Sequence, residues 1–128
     1  MESKKLFDLA NLEEMLGGDK EAVFQMVKIF LQATPESLSE LVKNYEKNDM
    51  NGVSKLAHKL KSSVDIFCVD DIKADIRKLE NNTREQINMD EVPGLVERID
   101  SILSAAIEQV KEEKVRLGDM LYKNESAG

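Results

Sequence analysis

Apolar residues recur at intervals of three and four along almost the whole chain, and no stretch alternates convincingly with a period of two. The pattern predicts helices from end to end. A short first helix is expected over Asp8 to Leu16, with Asp8 as its cap, Leu9, Leu12 and Leu16 on one side, and Gly17-Gly18 stopping it. Asp19 caps a second helix, in which Val23, Phe24, Val27, Phe30 and Leu31 sit at helical spacing. Pro35 either kinks that helix or lies in the first turn of a continuation through Leu38, Leu41 and Tyr45. Asn48-Asp49 reads as a turn, and Asp49 as the cap of a third helix reaching Phe67. Asp70 or Asp71 opens a fourth, with Ile72, Ile76 and Leu79 as its apolar stripe. The stretch from Asn81 to Glu91 is polar and reads, at least in part, as a loop. Pro93 then opens the last helix, which carries Leu95, Ile99, Ile102, Leu103, Ala106 and Val110.

Amphipathic helices joined by short connections make an all-α fold, an antiparallel four-helix bundle with the short N-terminal extra helix as a lid. No repeat, low-complexity tract or Gly/Ser/Pro-rich linker divides the sequence, so residues 1–128 read as a single domain whose ends, 1–5 and 123–128, are expected to fray. Composition agrees with this. Aromatics are only 5% and Trp is absent, so the apolar weight rests on Leu, Ile, Val and Met, which suits helix-on-helix packing.

Charge narrows the possible partners. A formal net charge of −7 argues against nucleic acid, whose phosphates need clustered Lys and Arg. The lone Cys68 cannot form an internal disulfide, and no apolar run is long enough for a signal peptide or a membrane span. A cytoplasmic monomer, away from membranes, is the expectation. Lys4-Lys5 and Glu112-Glu113 read as solvated surface.

His58 is the only histidine. At about 100° per residue, Val53, Leu56, Ala57, Leu60, Val64 and Phe67 share one face of the third helix. His58 then points about 160° from the centre of that stripe, away from the core. The residues one turn to either side, Ser54 and Ser62, are small. From Met50 to Val64 there are three lysines (Lys55, Lys59 and Lys61) and no carboxylate, in a chain that is otherwise strongly acidic. A nucleophilic imidazole among ammonium groups suits transfer of a dianionic phosphoryl group, and Lys61 reaches the same side of the helix. By themselves, an exposed histidine and a few lysines are more often an ordinary solvated face. The local order of residues changes that reading.

Ala57-His58-Lys59-Leu60-Lys61-Ser62-Ser63 resembles the signature of histidine-containing phosphotransfer domains: Ala-His, any residue, Leu-Lys, a small residue and Ser. Upstream, Phe7-Asp8-Leu9, Leu16-Gly17-Gly18-Asp19 and the long helix with Phe30 and Pro35 are similar to the family's N-terminal half. Asp49 before the His helix and Leu79-Glu80 after it also fit. The resemblance implies that His58 is the phosphoacceptor, that Lys61 steadies the phosphoryl group or the partner's acidic pocket, and that Lys59 adds positive surface. It implies response-regulator receiver domains and a sensor (hybrid) histidine kinase as partners. No cofactor of the chain's own is implied, Mg²⁺ being supplied by the receiver. There are two departures: Ser62 stands where the family usually has Gly, and Cys68 stands where it often has Gly, which leaves the end of the helix open. Glu80 lies where some members, notably in chemotaxis kinases, have a Glu bonding the imidazole, and others have Gln. A carboxylate there would hold Nδ1–H and leave Nε2 as nucleophile; a plain surface carboxylate is the other reading, and both stand at this point.

Other functional classes fit less well. A di-iron bundle needs Glu three residues before the histidine, where this chain has Lys55, and one His with one Cys makes no metal cluster. There is no P-loop, no G-x-G-x-x-G and no nucleophile paired with a separate His base, so the chain reads as a phosphocarrier without an ATP site, not as an enzyme. The remaining rival is a helical adaptor, or a phosphotransfer fold that has lost its chemistry.

Overall fold

Short acidic side chains open the first three helices in the computed structural model, which describes residues 4–123. The first helix, α1 (Ala10–Met15), is shorter than expected, with Leu9 at its N-cap. Asp8 still takes up one of the unpaired donors, its Oδ1 accepting Ala10 N–H at 2.8 Å. Gly17 and Gly18 end it with positive φ of 63° and 79°, a conformation that costs glycine little. Asp19 accepts from Ala22 N–H at 3.1 Å and opens α2 (Lys20–Glu46). Asp49 accepts from Gly52 N–H at 2.9 Å and opens α3 (Met50–Ile66). Pro35 lies inside α2, which runs through it as one helix and does not restart there.

A single 3₁₀ turn, Asp70–Ile72, leads into α4 (Lys73–Glu85), and another, Met89–Glu91, into α5 (Val92–Gly118) with Pro93 in its first turn. A π-helical turn, Asp119–Lys123, follows. The expected loop over Asn81–Glu91 is thus corrected: α4 continues to Glu85, and the irregular backbone is confined to Gln86–Asn88, where both end residues adopt positive φ. The polarity was misleading because two of these side chains point inward and are satisfied there. Thr83 donates its hydroxyl to Leu79 C=O at 2.7 Å, and Asn82 Nδ2 donates to Glu91 at 3.1 Å, both residues being buried.

The four long helices form a ring in which α3 packs between α2 and α4, and α5 closes against both of those. The stripes read from the sequence meet at its centre: Val53, Ala57, Leu60 and Val64 from α3, Ile76 and Leu79 from α4, Ile99, Leu103 and Val110 from α5. Leu56, expected on the buried stripe, is half-buried at its edge. Stacked rings of Phe30 and Phe67, 4.1 Å apart, tie α2 to the end of α3. The segment before α1 lies over that same end, with Phe7, Leu9 and Leu12 buried and Asp8 N–H donating to Phe67 C=O at 2.9 Å.

Of the ends expected to fray, residues 1–3 and 124–128 lie outside the described residues, and Lys4 is tied. Its C=O accepts from Gln109 Nε2 at 2.7 Å and its ammonium pairs with Asp71 at 2.8 Å. Glu113, expected as solvated surface, is largely covered and pairs with Arg116. Among the described residues no helix is long and apolar enough to cross a membrane.

Candidate functional site

The buried stripe of α3 fixes where His58 points. With Val53, Ala57, Leu60 and Val64 packed inward, the His58 side chain lies on the outer face and is 67% exposed. The end of this helix, left open by Cys68, falls where the pattern predicts, with Phe67 as C-cap. Cys68 adopts the left-handed conformation, φ 51°, that a glycine would take more readily.

Leu79, fully buried on α4, sets the next residue, Glu80, against α3. Ser54 completes the junction from the other side: it is buried, and its hydroxyl donates to Glu80 C=O at 3.3 Å. The Glu80 carboxylate, about 10% exposed, then divides its oxygens. Oε2 is 2.6 Å from His58 Nδ1, and Oε1 accepts from Lys61 Nζ at 3.0 Å. Arg84, one turn further along α4, brings Nη1 to 3.8 Å from Oε2. Burial pushes the Glu80 carboxyl up, but hydrogen bonds from Lys61 and His58 outweigh it and hold the group below the usual carboxylate range. An ionised carboxylate can only accept, so the contact with His58 requires the ring proton on Nδ1. Nε2 then carries the lone pair, on the exposed side of the ring.

Of the two readings of Glu80, contact with the imidazole is therefore the one observed. Lys61 comes to the site through Glu80 and is held by it. Lys59 and Ser62 are exposed on α3 and make no contact with Glu80. Ser54 does not flank an open ring edge, as its size suggested; it is buried under α4. Two participants escaped the sequence reading. Ser54 had been taken only for its smallness. Arg84 lay inside the presumed loop, although its four-residue spacing from Glu80 is the usual spacing of a helical ion pair.

The arrangement is an exposed imidazole nucleophile with its tautomer set from behind by a buried carboxylate, which two cations neutralise. Among the described residues no group of three or more His, Cys, Asp or Glu is placed to hold a metal ion.

Comparison with known proteins adds one finding. A family model described as the Hpt domain matches residues 25–113, well over half of the chain. The match runs from within α2 to within α5 and includes His58, Lys61, Glu80 and Arg84. No curated protein and no solved structure matches.

Proposed function

The chain belongs to the Hpt family, and on that premise we propose that it carries a phosphoryl group on His58 between receiver-domain aspartates, or from a histidine kinase, in a phosphorelay. Hpt domains serve phosphotransfer in two-component signalling, together with receivers and histidine kinases. One observation carries the reading for this chain: Nδ1 of the exposed His58 ring lies 2.6 Å from the buried Glu80 carboxylate, which leaves Nε2 free for a partner.

In the step we propose, the Nε2 lone pair attacks phosphorus in line with the bond to the receiver's aspartate. The N–P bond forms, the P–O bond breaks, and the aspartate leaves as a carboxylate. No proton needs to move: the ring keeps its Nδ1 proton and becomes a phosphoimidazolium, whose positive charge faces the Glu80 carboxylate. Acyl phosphate and phosphoimidazole are both high-energy species, so the step runs either way. The acidic pocket and the Mg²⁺ belong to the receiver in this scheme. The chain supplies positioning and charge, which is most of what a loose phosphoryl transition state requires. Lys59 presents positive surface to the acidic pocket, and Ser62 is small enough to let it approach. The carrier works as a monomer in the cytoplasm, where its partners are.

The test is incubation with a histidine kinase and ATP, or with a phosphorylated receiver, followed by assay for acid-labile, alkali-stable phosphate. Wild type is expected to label and His58→Gln to remain blank with an unchanged melting temperature, because the ring it removes lies outside the core. Labelling that survives the substitution would sink the proposal. A folded wild type that no kinase or receiver can label would leave the adaptor reading in its place.

A further inference from the structure

Arg84 is held in an unusual way for a surface arginine. Its Nε donates to Glu85 Oε1 at 3.2 Å and its Nη2 to Asn81 Oδ1 at 3.1 Å. These two bonds fix the plane of the guanidinium and leave Nη1 as the arm facing Glu80. That arm stops 3.8 Å from Oε2, too far for a hydrogen bond. The same oxygen lies 2.6 Å from His58 Nδ1, so Nη1 is within the sum of those two distances of the imidazole. The side chain is 55% exposed, and the arm points along the rim of the site into open space.

The other cations are less available. Lys61 is bound to the second oxygen of Glu80 at 3.0 Å. Lys59 follows His58 directly on the helix, and successive helical residues do not face each other. A phosphoryl group on Nε2 would add roughly −1.5 to −2 charge. The donor already oriented toward it, with an arm free of any hydrogen bond among the described residues, is Arg84.

Resting on the phosphocarrier reading, we infer that Arg84 binds the phosphoryl oxygens once His58 is phosphorylated, and that Asn81 and Glu85 hold it ready to do so. The contact lengthens the life of the phosphohistidine. In a loose transition state the non-bridging oxygens lose charge as the N–P bond stretches, so a guanidinium bonded to them favours the ground state over that for hydrolysis. An arginine that merely decorates the helix surface would have no such effect.

The experiment needs no partner protein. Wild type, Arg84→Gln, Arg84→Lys and Asn81→Ala are labelled with phosphoramidate, and the decay of the phosphohistidine signal is followed by phosphorus NMR at fixed pH, with melting temperatures as controls. Arg84→Gln is expected to shorten the half-life by up to about fivefold, the size of a good exposed charged contact. Arg84→Lys should restore part of the difference by keeping the charge, and Asn81→Ala should fall between wild type and Arg84→Gln. If wild type takes up no label on His58, the phosphocarrier reading falls and this inference with it. If wild type labels and Arg84→Gln decays at the same rate, the inference is overturned while the phosphocarrier reading stands. A shortened half-life that Arg84→Lys does not restore at all would also overturn it, since charge would not be the cause.

Discussion

A carboxyl group withdrawn from water is pushed toward its neutral form, yet Glu80 is held the other way by the hydrogen bonds it accepts from Lys61 and His58. Its folded value is therefore the lower one. The stability it contributes is complete above the unfolded value of about 4.3 and is lost as pH falls through the folded value. Wild type should lose stability through that acid window, and Glu80→Gln, which cannot titrate, should lose less; parallel denaturant midpoints for the two proteins below pH 4.3 would contradict the pairing. At neutral pH the same residue governs the ring. Phosphorylation rate should fall in the order Glu80, Glu80→Gln, Glu80→Ala, and nitrogen NMR should show a matching fall in the fraction of neutral ring protonated at Nδ1. An unchanged tautomer ratio in all three would reduce Glu80 to packing. Lys61→Ala should slow transfer by about tenfold, as the loss of one charge-assisted bond does, while Lys55→Ala, exposed and remote from Glu80, should leave the rate nearly unchanged. His58 and Lys61 could be found in the sequence because both lie in one short helical motif. Glu80 could only be suspected, since no pattern within one helix tells how far a neighbouring helix has slid against it.

At the level of elements, the helix starts and stops were legible wherever a local side chain enforces them. Asp19, Asp49, Gly17-Gly18 and Pro93 act on the backbone next to them, and the structure uses each as expected. The end of α4 was not legible. Asn82 and Thr83 look like loop residues until the partners they meet, Glu91 and the Leu79 carbonyl, are known. Pro35 shows the same limit, because α2 passes through it with tertiary packing on either side: Thr34, Ser37 and Leu38 are all buried. Two substitutions test the local devices. Asp49→Ala removes the acceptor for Gly52 N–H and should cost about 1 kcal/mol in denaturant unfolding. Cys68→Gly relieves a side chain held at φ 51° and should add roughly 0.5–1 kcal/mol, whereas Cys68→Ala, which keeps the Cβ, should add nothing. Equal midpoints for the Gly and Ala variants would show that the left-handed residue carries no strain.

Across the whole molecule, charge is unevenly distributed. The chain carries −7, yet α3 presents Lys55 and Lys59 without an ion pair among the described residues, and Arg84 stands on the neighbouring helix. An acidic partner is thus drawn to one side of an otherwise repelling protein. Association with a phosphorylated receiver should slow steeply as salt rises from about 0.01 to 0.15 M, where the screening length shrinks from roughly 30 to 8 Å. The double variant Lys55→Gln/Lys59→Gln should flatten that dependence in stopped-flow measurements; an unaltered slope would mean that steering comes from elsewhere. The contact between His58 and Glu80 has a use apart from chemistry, because its two ends stand on different helices. A slip of α4 along α3 by one residue is about 1.5 Å of axial travel, enough to break a bond of 2.6 Å. With a single imidazole in the chain, its nitrogen resonances are unambiguous, and they serve as a ruler for helix register. A docking partner, a destabilising core substitution or a rise in temperature that shifts α4 would be read at one ring, before any loss of helical content could be detected.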